Sequence, residues 1–155
     1  LRDKIIAEAR TWIGTPYVLG ACVRGAGADC ATFIYGVLHA LGMINDETIG
    51  HFSPDWFAHT DEEIYPRRLL RHAFKTAVGI SYTTLETQPG NIVLTRHSTS
   101  SRVFNHAGIV VKWPHLIHAI DPCITEVNAT QHSMWCNREV AVFDPVAKFE
   151  LEHIS

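Results

Sequence analysis

A chain of 155 residues with 46% apolar and 19% charged side chains fits one folded domain, 1–155, built on a single core. Its formal charge of −3 points away from nucleic acid and from anionic membrane surfaces. No apolar run approaches the roughly 18 residues that a membrane span needs, so membrane insertion is not expected. The opening "LRDKIIAEAR" has neither the apolar core nor the cleavage site of a signal peptide. The expectation is a protein made in the cytoplasm that does not export itself by the usual route.

Residues 2 to 13 carry Ile5, Ile6, Ala9, Trp12 and Ile13 on one stripe, the pattern of an amphipathic helix ended by Gly14 and Pro16. Residues 14 to 29 are a glycine-rich loop. A second helix is expected from about Cys30 to Leu41, burying Phe33, Ile34, Val37, Leu38 and Leu41, with Gly42 as its stop. Residues 45 to 60 read as irregular, and a third helix from Asp61, a suitable N-cap, to Ala77. The chain then changes character. "NIVLT", "FNHAGIVV", "HLIHAI", "ITEVN" and "EVAVF" are short, β-branched and separated by turn signals such as Trp113-Pro114 and Asp121-Pro122. Helices first and strands last predict an α+β fold, with a helical layer on an antiparallel β-sheet or small barrel.

"GADCATF" places Cys30 at the start of the second helix. A free thiol with a pKa of about 8.5 is mostly protonated at neutral pH, and a helix N-terminus or a nearby imidazolium lowers that value. The glycine-rich approach also leaves backbone N–H groups uncrowded, as an oxyanion site requires. The four cysteines, at 22, 30, 123 and 136, have no short spacing and do not read as a disulfide framework.

Ten histidines could supply the base. His39 lies nine residues beyond Cys30 on the same helix, about 13 Å along the axis, and cannot reach it. His51, His59, His72, His97, His132 and His153 read as solvent-exposed. His106 and His118 instead fall in predicted strands. A hairpin centred on residue 112 would set them opposite each other on one face, about 5 Å apart at Cβ, the arrangement of a base and the group that orients it. A one-residue slip would separate them. Two other readings of the residues stay open: Cys30 as a packing residue, and Cys30, His106 and His118 as ligands of a hydrolytic zinc.

"WIGTPYVLG", "GADCATF", "NHAGIVV" and "IHA", in that order over residues 12 to 120, resemble the NlpC family of bacterial cell-wall cysteine peptidases. The resemblance implies a compact papain-like fold and a thiol endopeptidase or amidase that needs no cofactor. Its substrate would be the peptidoglycan stem peptide, cut near γ-D-glutamate and the diamino acid. By position it makes Cys30 the nucleophile, His106 the base and His118 the orienting residue. Tyr17 would help bind the oxyanion or substrate, and Asp29 would contact the substrate's amine. Ala31-Thr32 departs from the usual Ser-Gly, and that serine is a second amine contact in some members. "SPDWF" and "QPGNIVLTR" are most similar to the subgroup encoded with phage and prophage tail genes. That setting implies tail proteins as partners and action at the bacterial wall as part of the virion. The alternative in the same setting is a structural tail or assembly protein that has kept the fold and lost catalysis.

Overall fold

The structure, a computed structural model, describes residues 1–45, 71–80, 85–96 and 102–154. Helix α1 spans Arg2–Thr11 and α2 spans Cys30–Ala40, with a two-strand ribbon between them made of β1 (Cys22–Val23) and β2 (Gly27–Ala28). Six further strands follow: β3 (Phe74–Ile80), β4 (Ile92–Thr95), β5 (His106–Lys112), β6 (His115–Ile120), β7 (Cys123–Asn128) and β8 (Glu139–Asp144). They form one antiparallel sheet in the order β3-β8-β4-β5-β6-β7. Helix α3, Pro145–Glu152, ends the chain's regular structure. The expected α+β architecture is the one observed.

The sheet is buried on both faces, which is why "NIVLT" and "EVAVF" read as continuous apolar runs rather than alternating ones. Ile92, Leu94, Ala107, Ile109, Ile117, Ala141 and Phe143 pack beneath α1 and α2 against Ile5, Ala9, Phe33 and Val37. Their immediate neighbours, Val93, Val110, Val140 and Val142, point the other way into a second cluster around Met134 and Trp135. Strand periodicity places successive residues on opposite faces, and here both faces are apolar.

Close packing of the two helices fixes the start of α2. The Trp12 and Phe33 rings meet edge-on with centroids 6.0 Å apart. The indole also lies over Gly36, where a Cβ would sit 2.5 Å from it. Helix α1 ends at Thr11, so Ile13 falls outside the buried stripe and is 44% exposed. Gly42, at φ +69°, follows α2 in the left-handed conformation that suits a helix end.

Two expectations about elements need correction. The helix expected from Asp61 to Ala77 lies outside the described residues as far as position 70, as do residues 46–60. Its last four residues, 74–77, belong to β3, paired along β8 through a bulge between Lys75 and Ala77. "FKTAVGI" contains β-branched residues and a glycine, poor helix formers, and an apolar partner strand was available. Helix α3 was not foreseen, although its signal is in the sequence. Asp144 accepts from the backbone N–H groups of Val146 and Ala147, and Pro145 occupies the first turn. The Asp144 carboxylate is also ion-paired at 2.7 Å with Arg2 of α1, tying the two ends of the fold together.

Candidate active site

Asp29 is the N-cap of α2, so the helix begins at Cys30 itself. Its Oδ1 accepts from the N–H groups of Ala31 at 2.9 Å and Thr32 at 2.8 Å. Its Oδ2 accepts from Gly20 N–H at 2.8 Å. Thr32 completes a capping box: its hydroxyl accepts from Asp29 N–H at 2.8 Å and donates to the Ala21 carbonyl. The carboxylate, 8% exposed, therefore fastens both the helix and the preceding loop. Cys30 sits in the first turn, where backbone N–H groups are unpaired within the helix and the dipole is positive.

The thiol faces the beginning of β5. Cys30 Sγ lies 3.7 Å from the carbonyl oxygen of Asn105, the residue before His106. His106 and His118 are brought together on adjacent strands, with Nε2 of His106 2.9 Å from Nδ1 of His118. The strand register differs from the expected one. His118 pairs with Gly108, and His106 pairs with Thr95 of β4. The turn centres on residues 113 and 114, and a bulge lies between Val110 and Lys112. The resulting shift is two residues, so both rings stay on one face and meet diagonally.

Two neighbours of this pair were not foreseen. Trp135, fully buried, donates its indole N–H to His118 Nδ1 at 3.1 Å. His132, read from sequence as exposed, is partly buried, and its ring crosses that of His118 at 87° with centroids 4.8 Å apart. Both lie in the turns between β7 and β8, where no periodicity marks an inward-facing residue. An aromatic residue in a polar loop was the only available signal.

Burial, and after it the charge of His132, push His118 down to about 3. The ring therefore stays neutral in the fold while the unfolded chain's histidine binds a proton below its ordinary pKa of about 6.5. Unfolding takes up a proton in that window, so stability falls as pH drops from 6.5 towards 3. The slope approaches about 1.4 kcal/mol per pH unit, or about 2 kcal/mol between pH 6.5 and 5. Urea midpoints at pH 7 and pH 5 should show this loss, and His118→Asn should shrink it. An equal loss in the variant would assign the effect to another group.

Tyr17 runs beside Ala28 and is held through its N–H to the Pro122 carbonyl at 2.9 Å. Burial, then Cys30, Asp29 and Asp121, push its hydroxyl up to about 12, so it is a hydrogen-bond donor at any working pH. Cys22 has its thiol on the Thr32 carbonyl at 3.3 Å and its pKa raised by burial and Asp29, the opposite of activation. All four cysteines are unpaired with one another. Of the basic residues, Arg24 turns to Glu8 of α1, and Arg96 stacks on Phe104, 4.3 Å from its ring.

No protein-family model and no curated protein matches the sequence. Solved structures do. The NlpC/p60 domain of the peptidoglycan hydrolase SagA superposes with a TM-score of 0.58 at 23% identity, covering 92% of this chain and 97% of that one. The chain has the NlpC/p60 fold. A lipoprotein-like NLP/P60 protein of Staphylococcus aureus gives a TM-score of 0.62 at 16% identity, over 94% of this chain and 41% of its own. NlpC2 of Trichomonas vaginalis gives 0.62 at 14% identity, over 92% and 45%. The chain thus spans nearly the whole length of the SagA domain and less than half of the two longer proteins. The papain-like layering expected from sequence is the layering these NlpC/p60 structures share.

Proposed function

We propose that this NlpC/p60 domain is a cysteine peptidase that cleaves peptidoglycan stem peptides, with Cys30 as nucleophile, His106 as base and His118 as the residue that orients His106. The observation that carries the reading is the hydrogen bond between His106 and His118 beside a thiol at a helix start. The thiolate of Cys30 attacks the scissile carbonyl carbon, and the oxyanion is held by the Cys30 backbone N–H and the Tyr17 hydroxyl. His106, protonated by the thiol, gives that proton to the amide nitrogen as the C–N bond breaks. A thioester remains. Water, deprotonated by His106, attacks it, and the departing thiolate regains its imidazolium partner.

A zinc site would need nitrogen lone pairs converging on one point. Here the two histidine nitrogens are bonded to each other, and among the described residues no three metal-binding side chains converge.

Asp29 is assigned to the helix cap rather than to the substrate's amine, because three backbone N–H groups already use its carboxylate. With alanine at position 31 as well, neither of the two amine contacts that the resemblance implies is in place among the described residues. This favours stem peptides still attached to glycan, cut at the γ-D-glutamyl bond to the diamino acid. The sequence resemblance favours delivery to the wall by a phage tail.

Digestion of purified sacculi and of the free tetrapeptide, read by mass spectrometry, tests the proposal. Sacculi should release peptide fragments, the free tetrapeptide should be cut more slowly, and Cys30→Ala should release nothing. Fragments from Cys30→Ala at the wild-type rate would overturn it, and none from the wild type would favour a structural role.

A further inference from the structure

We infer that Trp135 is a positioning residue whose indole N–H sets the tautomer of His118 and, through it, that of His106. The catalytic meaning of the inference rests on His106 being the base for Cys30; the tautomers themselves do not. An indole nitrogen donates and never accepts. Lying 3.1 Å from Nδ1 of His118, it obliges that nitrogen to carry a lone pair, which puts the His118 proton on Nε2. The same Nδ1 is 2.9 Å from Nε2 of His106, so His106 is the donor of that bond. Neutral His106 then has its proton on Nε2 and its lone pair on Nδ1. Nδ1 is the ring nitrogen nearer the backbone, and the backbone just before His106 is where Cys30 Sγ arrives, at the Asn105 carbonyl.

Two histidines alone have no preferred direction. Nδ1–H of His118 donating to His106 would make an equally good bond, but the base would then hold its lone pair towards His118. With Trp135 present, that arrangement points two N–H groups at each other. The chosen tautomer leaves the fully buried Nε2–H of His118 without a hydrogen-bond partner among the described residues. The relay also survives the reaction, since a proton gained at Nδ1 of His106 leaves the Nε2–H bond as it was. Gly108 makes room for the indole: a Cβ there would lie 3.3 Å from the Trp135 ring and 2.9 Å from Leu116.

Long-range ¹H–¹⁵N correlation spectra of the imidazoles read the tautomers directly. The wild type should show His118 protonated on Nε2 only. Trp135→Phe, which keeps an aromatic ring and removes the N–H, should bring in the Nδ1–H form and slow cleavage of sacculi by about tenfold. In a His118→Asp background the acceptor-only carboxylate orients His106 by itself, and Trp135→Phe should then cost less than about twofold. Equal losses in both backgrounds would make Trp135 a packing residue and overturn the inference. So would His118 protonated on Nδ1 in the wild type, a spectrum that needs no variant to fold. An inert Cys30 with the expected wild-type tautomers would instead sink the thiol reading and leave the relay standing.

Discussion

Alanine at position 106 should reduce cleavage by about 10²- to 10⁴-fold, the usual worth of a positioned acid–base group. Alkylation of Cys30 by iodoacetamide at pH 6 should fall by only about tenfold. The two differ because alkylation needs the thiolate alone, whereas cleavage also needs a proton delivered to the leaving nitrogen. With an ordinary pKa of about 8.5, about 0.3% of the thiol is ionised at pH 6, and an imidazolium partner raises that fraction. Much of the gain in thiolate is offset by the lower nucleophilicity of a less basic thiolate. The pH profile is the sharper readout. Wild-type labelling should depend only weakly on pH between about 6 and 8, while that of the variant should climb about tenfold per pH unit as an ordinary thiol does. Cys123 and Cys136, also partly exposed, serve as internal references. If Cys30 labels no faster than they do in the wild type, it is a packing residue.

Asp29→Ala should destabilise the fold by about 2–3 kcal/mol, since it removes the cap of α2 and strands the Gly20 N–H as well. For a chain of this size that is a drop of about 5–10 °C in Tm. Asp29→Asn separates the contributions. Its amide oxygen can keep the Ala31 and Thr32 bonds, but its NH₂ would oppose Gly20 N–H where Oδ2 now accepts, costing about 1 kcal/mol. Tm should fall in the order wild type, Asp29→Asn, Asp29→Ala. A Tm for Asp29→Ala within a degree of wild type, together with lost cleavage, would return the carboxylate to the substrate.

How much of this was legible in the sequence follows from range. The start of α2 was readable because its signal is local: a capping aspartate, small residues before it and an apolar stripe after it. His106 and His118 were singled out because both stand in short β-branched runs, and parity alone kept them on one face when the register moved by two. The register itself was not readable, since a bulge in β5 leaves no mark in a uniformly apolar "GIVV". Residues 74–77 became strand because β8 lay alongside, a contact 60 or more residues away that propensity cannot see. Trp135 and His132 were missed for the same reason. Their role depends on turns with no period, folded back over a strand seventeen and fourteen residues earlier. The resemblance gives Asp29 a substrate role, and its bonds to Gly20, Ala31 and Thr32 add a capping role that the resemblance does not carry.

The thiol and its proposed base come from opposite ends of the fold, one on the first turn of α2 and the other at the head of β5, 76 positions later (106 − 30). The capped turn supplies the helix dipole and the hairpin the proposed imidazole, so the proposed pair needs both. The halves meet only once the helices have docked on the sheet, with Trp12 against α2 and Arg2 clasping Asp144. An unfolded or half-translated chain therefore carries an ordinary thiol, harmless to its surroundings. Loosening the helix–sheet contact anywhere along its length would be felt first as a quieter cysteine. In this molecule the proposed nucleophile is a gauge of the whole fold.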